Sequence, residues 1–201
     1  MNKDNFFDII VIGAGLSGSV LVLEFIKKTN KKILLIEKKK SFVYDKNWCF
    51  WNLPKNFFSN LYNNKWNKIN VIIDEKKRTF QHPNINYLRL KSIDFYKKIS
   101  TKINRSKNCK LLMNQKIKDL KYKDGYNFVF SNNNVYKSKI VFDSRPTKKN
   151  LNGELIQHFY GIELEFEDNV FDENEMTIMD FQNFDNEVHF FYILPFSKKG
   201  D

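Results

Sequence analysis

The chain has 201 residues, of which 42% are hydrophobic, so it can bury the core of one domain or of two small ones. Its formal net charge is +11, but the lysines are scattered, which argues against a nucleic-acid interface and favours at most weak attraction to a membrane surface. The two cysteines lie far apart, which argues against a disulfide framework, and the three histidines lack the spacing of metal ligands, which argues against a zinc site. The chain also lacks an apolar run of the ~18 residues that a membrane span needs. These features predict a cytoplasmic protein.

The first predicted elements are a strand, a glycine-rich turn, a helix and a second strand. An apolar strand starting at Asp8 leads into Gly13-Ala-Gly-Leu-Ser-Gly18, which we call the glycine turn. A helical pattern follows over residues 16–29, and a second apolar strand, 33–36, ends on Glu37. This order is typical of a dinucleotide-binding βαβ unit, and the alternative is an ordinary tight turn between a strand and a helix.

Each part of this unit has a physical role in holding a dinucleotide. Gly13 permits the tight turn, Gly15 lets the backbone approach a pyrophosphate, and Gly18 lets the helix lie close to the strand. The helix N-terminus offers N–H groups to the phosphates, and Glu37 can accept hydrogen bonds from ribose hydroxyls. The predicted cofactor-binding residues are Gly13, Ala14, Gly15, Leu16, Ser17, Gly18, Glu37 and Lys38.

The acid at the end of the second strand indicates which dinucleotide fits. A carboxylate there favours a free ribose 2′-hydroxyl, and so favours FAD or NAD over NADP. The glycine turn alone does not choose between FAD and NAD.

The middle of the chain mixes strands with one further helix. An aromatic stretch, Trp48-Cys-Phe-Trp51, is followed by two short predicted strands at 69–74 and 78–82. Ser92 is the expected N-cap of a helix with apolar positions at helical spacing. Further strands are predicted at 110–113, 126–130 and 135–142.

The pattern changes after Pro146. Residues 148–153 form a predicted linker, and alternating segments at 156–166, 176–181 and 187–194 predict strands with one buried face. We therefore expect a dinucleotide-binding domain over 1–147 and a partial β-rich substrate domain over 154–201. Because the chain stops just after a strand, we expect it to be truncated relative to a longer polypeptide.

Several short motifs together resemble the lycopene cyclase family, the flavoprotein cyclases of carotenoid biosynthesis. The glycine turn resembles the family's dinucleotide motif, and Trp48-Cys-Phe-Trp51 resembles its aromatic segment, although Asn47 stands where Thr is usual. The remaining motifs follow in the family's order over essentially the whole chain. They are Tyr87 with Ser92 and Phe95, Phe142-Asp-Ser-Arg-Pro146, Gln157-His-Phe-x-Gly161, Met179-Asp-Phe181 and Phe191-Tyr-x-Leu-Pro195.

The resemblance implies an α/β fold in which a Rossmann-type FAD domain interleaves with an antiparallel-sheet substrate domain, as in aromatic-hydroxylase-like flavoproteins. It implies FAD in the reduced form as the cofactor and NAD(P)H as the reductant. The implied reaction is acid-catalysed cyclisation of the end groups of lycopene to β-type rings, with reduced FAD stabilising the carbocation. The implied partners are a lipophilic carotenoid and a membrane surface, which the protein would contact peripherally.

The resemblance also indicates candidate substrate residues. Trp48, Phe50 and Trp51 are candidates for the wall of a substrate tunnel, with packing in the core as the alternative. The family's catalytic acid is expected beyond Asp201, and Asp180 is a weak candidate within the chain. Asp143 and Arg145 end a strand of the cofactor domain, where they either contact FAD or form a structural pair that caps the turn.

Two other functions remain open from the sequence. One is a related FAD-dependent monooxygenase or isoprenoid reductase, which would use the flavin for net redox chemistry. The other is an inactive fragment that only binds a dinucleotide.

Overall fold

A computed structural model describes residues 5–52, 58, 60–132, 134–145, 157–184 and 187–198. The chain divides into two compact units, each built from two separate stretches. Unit 1 comprises Met1–Tyr44 and Ile93–Asn152, and unit 2 comprises Asp45–Ser92 and Gly153–Asp201. In chain order the elements are β1 (Phe6–Ile12), α1 (Leu16–Lys28), β2 (Ile33–Ile36), β3 (Asn47–Trp51), β4 (Asn64–Trp66), β5 (Lys68–Ile73), β6 (Lys76–Gln81), β7 (Tyr87–Lys91), α2 (Ser92–Arg105), β8 (Cys109–Leu112), β9 (Ile117–Lys123), β10 (Tyr126–Ser131), β11 (Val135–Asp143), β12 (Glu175–Phe184) and β13 (Glu187–Ile193).

This division differs from the continuous one expected from the sequence. Residues 45–92, which the sequence placed in a domain over 1–147, group with the C-terminal stretch. The expected linker, 148–153, lies outside the described residues. The hydrophobic pattern of a strand does not show which sheet the strand joins, so the sequence does not reveal that residues 45–92 belong to the second unit.

Unit 1 is built on a six-stranded sheet with the order β8-β2-β1-β11-β10-β9. The first four strands are parallel, and β9, β10 and β11 form an antiparallel meander. At the centre, Ile9 of β1 pairs with Ile33 of β2 on one side and Ile140 of β11 on the other. A central parallel strand is covered on both faces, which explains why β1 and β2 are almost continuously apolar.

Two helices complete unit 1. In α1, which connects β1 to β2, Val22 and Leu23 are buried, while Lys27 and Lys28 lie in the last turn, where cations are favourable. In α2 the side chains at helical spacing are buried, namely Phe95, Tyr96, Ile99 and Ile103.

Unit 2 contains two sheets, with orders β3-β7-β4 and β13-β12-β5-β6. Neighbouring strands are antiparallel except for β5 and β12, which are parallel. Trp66, Ile69 and Met176 form a buried cluster, against which Tyr87 and Tyr192 pack. These residues come from both sheets, so the two sheets of unit 2 contribute to one core.

Most of the predicted strands are present, with one clear exception. The alternating segment predicted as a strand over 156–166 is irregular from 157 to 164, and the described part shows only a single bridge residue, Glu165. Its apolar side chains are exposed, with Phe159 at 70% and Tyr160 at 94%. The prediction was wrong because alternation makes a segment suitable for a sheet but does not supply a neighbouring strand. The sequence also missed β3, β4, β7 and β9 as strands.

Candidate cofactor-binding site

The glycine turn follows β1 and requires glycine at two positions. Gly13 has φ +98°, which side chains rarely adopt, and a Cβ there would lie 2.4 Å from Ser144 Oγ. A Cβ on Gly18 would lie 2.1 Å from the carbonyl oxygen of Gly13. The close approach of α1 to the end of β1 therefore depends on these two residues.

Gly15 differs from its two neighbours in the glycine turn. A Cβ built on Gly15 meets nothing within 4 Å, so open space lies beside its backbone. Gly15 is also the N-cap of α1, and neither a side-chain cap nor an acidic residue in the first turn neutralises this helix end. An uncapped helix N-terminus beside open space is suited to a phosphate group, and Ser17 in the first turn is exposed there.

Glu37 lies against the glycine turn and is 7% exposed. Its Oε2 accepts a hydrogen bond from the N–H of Ala14 at 2.8 Å, and its Oε1 accepts one from the N–H of Lys39 at 3.0 Å. The structure therefore brings the predicted acid and the predicted turn together, while Lys38 is exposed. A carboxylate oxygen has room for more than one hydrogen bond, so ribose hydroxyls remain possible additional donors.

Ser144 is a residue of this site that the sequence interpretation missed. Its hydroxyl donates to the carbonyl oxygen of Ile12 at 2.8 Å and lies 3.3 Å from that of Gly13. The end of β11 is thereby tied to the start of the glycine turn. Its position at the carboxyl end of a parallel strand beside β1 is the signal that could have identified it.

Asp143 and Arg145 form a structural pair at the end of β11. Arg145 Nη2 lies 2.7 Å from Asp143 Oδ2, and Arg145 Nε donates to the same carboxylate. Arg145 Nη1 also donates to the carbonyl oxygen of Ile117 at 3.2 Å. The hydrogen bonds from Arg145 lower the pKa of Asp143 below its ordinary value. This geometry agrees with the alternative in which Asp143 and Arg145 form a structural pair that caps the turn after β11.

The aromatic residues proposed for a substrate tunnel do not share one surface. They belong to β3, where successive side chains point to opposite faces, so Trp48 and Phe50 lie on one face and Cys49 and Trp51 on the other. Phe50 packs near Phe58, with ring centroids 5.4 Å apart. The role of these three residues in lining a substrate tunnel, or in packing within the core, stays a prediction.

Asp180, the weak acid candidate, lies half-buried on β12. It accepts a hydrogen bond from Gln182 Nε2 at 2.9 Å and pairs across the ladder with Phe191. These contacts are local, and they neither assign nor remove a role in proton transfer.

A network of polar side chains lies in the aromatic core of unit 2. The hydroxyl of Tyr192 donates to that of Tyr87 at 2.9 Å, and Cys49 lies beside Tyr192. Burial raises the pKa of Cys49 and of Tyr192, so the thiol and the phenol stay neutral. The ring of Tyr87 lies 4.9 Å from that of Trp51, so this network supports the position of Trp51.

Arg89 is buried in unit 2, with 2% of its surface exposed. Its Nε donates to Asn47 Oδ1 and its Nη1 to Asn64 Oδ1, both at 2.9 Å. The guanidinium carbon lies 3.3 Å from the centroid of the Phe196 ring, and Nη2 lies 3.7 Å from the carboxylate of Glu163. The sequence interpretation missed this residue because its partners come from four separate segments.

No group of three or more histidine, cysteine, aspartate or glutamate residues is arranged to hold a metal ion within the described ranges. Neither helix of the described part combines the length and the apolar character that crossing a membrane requires.

Comparisons with solved structures show the fold. The chain is similar to pqsL of Pseudomonas aeruginosa, a probable FAD-dependent monooxygenase, with a TM-score of 0.58 and 12% identity over 86% of this chain and 54% of that one. It is similar to p-nitrophenol 4-monooxygenase PnpA of Pseudomonas putida DLL-E4, with a TM-score of 0.59 and 12% identity over 80% and 46% of the two chains. The chain is also similar to a geranylgeranyl bacteriochlorophyll reductase-like protein of Thermoplasma acidophilum, with a TM-score of 0.51 and 16% identity over 69% of this chain and 39% of that one. The chain thus spans about half the length of the first two structures.

This likeness confirms the predicted fold class, an α/β fold of the kind found in FAD-dependent monooxygenases. No curated protein sequence matches the chain significantly. The family model described as "Lycopene cyclase protein" matches residues 8–200, which confirms the resemblance noted in the sequence. The chain belongs to the lycopene cyclase family.

Proposed function

We propose that this chain is the FAD-binding region, with part of the substrate-binding region, of an enzyme that cyclises the end groups of lycopene. The observation that supports this most is the family match over residues 8–200, together with a glycine turn whose geometry suits a dinucleotide. The fold shared with FAD-dependent monooxygenases favours FAD over NAD at this turn.

The residues of unit 1 fit this cofactor. The N-terminus of α1 would hold the pyrophosphate, with Gly15 allowing the close approach that its open surroundings permit. Glu37, fixed by the N–H groups of Ala14 and Lys39, would accept the ribose hydroxyls. Ser144 would keep the turn in the conformation that the cofactor needs.

The reaction is an isomerisation in which a terminal double bond is protonated, a ring closes and a proton is lost. When bound and reduced by NAD(P)H, FAD would supply the negative charge that stabilises the carbocation. The chain must supply apolar surfaces that exclude water, a task that the aromatic and aliphatic side chains of unit 2 suit. The donor of the proton is unassigned, with Asp180 the weak candidate in this chain. The substrate dissolves in lipid, so we propose a cytoplasmic protein that contacts the membrane peripherally.

Pigment analysis tests the reaction. The complete open reading frame that contains this chain is expressed in a lycopene-accumulating host, and the carotenoids are separated by chromatography. We expect lycopene to decrease and β-type cyclic carotenoids to appear. Unchanged lycopene in the presence of soluble, flavin-loaded protein would contradict the cyclase. Oxygen uptake or stoichiometric consumption of NADPH would instead favour a monooxygenase or a reductase, whose fold this chain shares.

Flavin binding tests the cofactor independently of activity. In the purified 201-residue chain, Glu37→Gln should weaken FAD binding by about tenfold or more, because hydrogen bonds to a charged group contribute about 1.5–3 kcal/mol. Glu24→Gln is the matched control, since Glu24 belongs to the same unit and forms ion pairs with Lys27 and Lys28 on the surface of α1. Equal FAD affinity of the two variants would remove Glu37 from the site, provided both keep the wild-type circular dichroism spectrum.

A further inference from the structure

The C-terminal ends of α1 and α2 lie together at one end of unit 1. The two helices lead into β2 and β8, which are neighbouring parallel strands, so both helix ends lie at the amino ends of these strands. Asn108 links the two connections, because its side-chain amide donates to the carbonyl oxygens of Thr29 at 3.0 Å and Lys31 at 3.1 Å. The segments 27–32 and 98–110 therefore meet in space, and we call their surface the basic face.

Cations predominate on the basic face, although its basic residues are far apart in the sequence. Partial burial lowers the pKa of Lys102 in α2, and the charges of Lys98 and of Lys27 in α1 lower it further. Glu24 and Asp8 supply two acidic groups nearby. They do not balance the basic residues, which are Lys27, Lys28, Lys31, Lys32, Lys98, Lys102, Arg105, Lys107 and Lys110.

The side chains of the basic face favour a lipid surface over a nucleic acid. All the basic residues except Arg105 are lysines, whose compact charge suits the diffuse field of anionic headgroups, whereas arginine is preferred where phosphates are bound by paired hydrogen bonds. Sites for single-stranded nucleic acid also present aromatic rings on which bases stack. Neither segment of the basic face contains an aromatic residue, and its isoleucines, Ile99 and Ile103, are buried.

We propose that the basic face binds the headgroups of anionic phospholipids at a membrane surface. The inference rests on the proposed function, whose substrate dissolves in lipid. It adds which surface of the protein makes the contact and which lipid charge attracts it. Clusters of lysine and arginine are typical of surfaces that bind anionic lipids. Because the apolar side chains here are buried, the contact should depend on charge and not on insertion into the bilayer.

The position of the basic face also orients unit 1 on the membrane. The glycine turn lies at the carboxyl end of β1, where α1 begins, and the basic face lies where α1 ends. The 13 residues of α1 span about 20 Å, which is longer than the Debye length of about 10 Å at 0.1 M salt. The charge of a dinucleotide at the glycine turn therefore does not oppose the contact, and the glycine turn faces away from the lipid.

Co-sedimentation of the purified chain with two kinds of vesicle tests the proposal. One kind is phosphatidylcholine alone, and the other contains about 30% phosphatidylglycerol, which is anionic. We expect the chain to sediment with the anionic vesicles and not with the neutral ones. Raising the NaCl concentration to about 1 M, where the Debye length is about 3 Å, should release it. Equal binding to both kinds of vesicle, or binding that persists in high salt, would overturn the proposal.

Charge reversal locates the surface. One variant reverses three exposed charges of the basic face, namely Lys31→Glu, Arg105→Glu and Lys107→Glu. The control reverses three exposed charges on β9, at the opposite edge of the same sheet, namely Lys118→Glu, Lys121→Glu and Lys123→Glu. The first variant should bind anionic vesicles about tenfold more weakly or worse, whereas the control should lose less than about threefold. Equal losses would show that net charge alone governs binding and would overturn the assignment to the basic face.

A nucleic-acid partner is a separate outcome of the same assay. Oligouridylate is added to the chain bound on anionic vesicles, at an amount of phosphate equal to that of the phosphatidylglycerol. We expect most of the chain to stay on the vesicles. Its release by the oligonucleotide would overturn the lipid assignment in favour of nucleic acid.

The two proposals fail in different ways. If the reading frame cyclises lycopene but the chain does not bind anionic vesicles, the cyclase stands and the basic face fails. If the chain binds anionic vesicles through the basic face but the reading frame forms no cyclic carotenoid, the basic face stands and the cyclase fails.

Discussion

Two buried charged side chains, one in each unit, are stabilised in different ways. Among the described residues, Glu37 in unit 1 and Arg89 in unit 2 are the buried side chains that carry a full charge. Glu37 receives hydrogen bonds from backbone N–H groups in the glycine turn and just after β2. Arg89 instead donates to two asparagine side chains and stacks on Phe196.

The difference shows which kind of site a sequence can reveal. The partners of Glu37 are backbone groups at fixed positions in a local βαβ unit, so any sequence that forms the unit places them correctly. The partners of Arg89 include side chains of Asn47, Asn64, Glu163 and Phe196, which only the completed fold brings together. The buried charge of unit 1 is therefore stabilised by a local sequence motif, whereas the buried charge of unit 2 is stabilised by contacts that form only in the folded structure.

The largest effect should follow the removal of Arg89. Arg89→Ala leaves a cavity and two amide oxygens without their donors, so the free energy of unfolding should fall by about 3 kcal/mol or more. Urea denaturation followed by tryptophan fluorescence, to which the buried Trp66 contributes, measures this change. Arg78→Ala, at an exposed position, should change stability by less than about 0.5 kcal/mol. A loss below about 1 kcal/mol for Arg89→Ala would show that unit 2 does not depend on this residue.

Two substitutions in the glycine turn should have different effects, one on the free energy of unfolding and the other on FAD binding. Gly18→Ala places a Cβ against the carbonyl oxygen of Gly13 and should cost about 1–3 kcal/mol of unfolding free energy. Gly15→Ala, in open space, should leave stability nearly unchanged but weaken FAD binding, because the new methyl occupies the phosphate position. Urea denaturation and flavin titration of both variants measure the two effects. If Gly18→Ala were as stable as wild type, helix and strand would not need this close approach.

A smaller effect is expected at Ser144. Ser144→Ala removes the hydroxyl that donates to the carbonyl oxygen of Ile12, and should cost about 1 kcal/mol of unfolding free energy. Flavin affinity should decrease with it, since the glycine turn is then held less firmly. Ser17→Ala, at an exposed position of the same turn, is the control for stability. Equal stability of the two variants in thermal denaturation would contradict this role.

The smallest effect concerns acid stability in unit 1. Hydrogen bonds from Arg145 lower the pKa of Asp143, so the folded state holds this carboxyl ionised to lower pH than the unfolded chain does. The resulting stabilisation is present above the unfolded pKa and is lost as the pH falls through the folded pKa. Asp143→Asn should therefore destabilise the chain at pH 6, and the difference from wild type should shrink as the pH falls through the folded-state pKa of Asp143. A difference that persists at low pH would point to packing instead of charge.

The sequence predicts unit 1 better than unit 2 for a physical reason. In unit 1, apolar runs such as 33–36 are buried on both faces and leave little choice of structure. In unit 2, Tyr87 and Arg89 lie on a strand of mixed character that pairs with strands on either side, and its burial depends on those partners. The aromatic motif likewise gives residue types but not the face of a strand, so it did not show that Trp48 and Trp51 lie on opposite faces of β3.

The interleaving of the two units has a consequence for synthesis on the ribosome. The central strand of unit 1 receives its second neighbour late, because Ile9 pairs with Ile140. Between these two residues in the chain lies the stretch 45–92, and its strand β5 pairs with β12, which is made later still. A nascent chain halted before β11 would present β1 with one unpaired edge, a surface on which other strands can add. Such distant pairings also slow folding, so unit 1 should reach its final structure only after β11 has emerged, and unit 2 only after β12 and β13 have emerged.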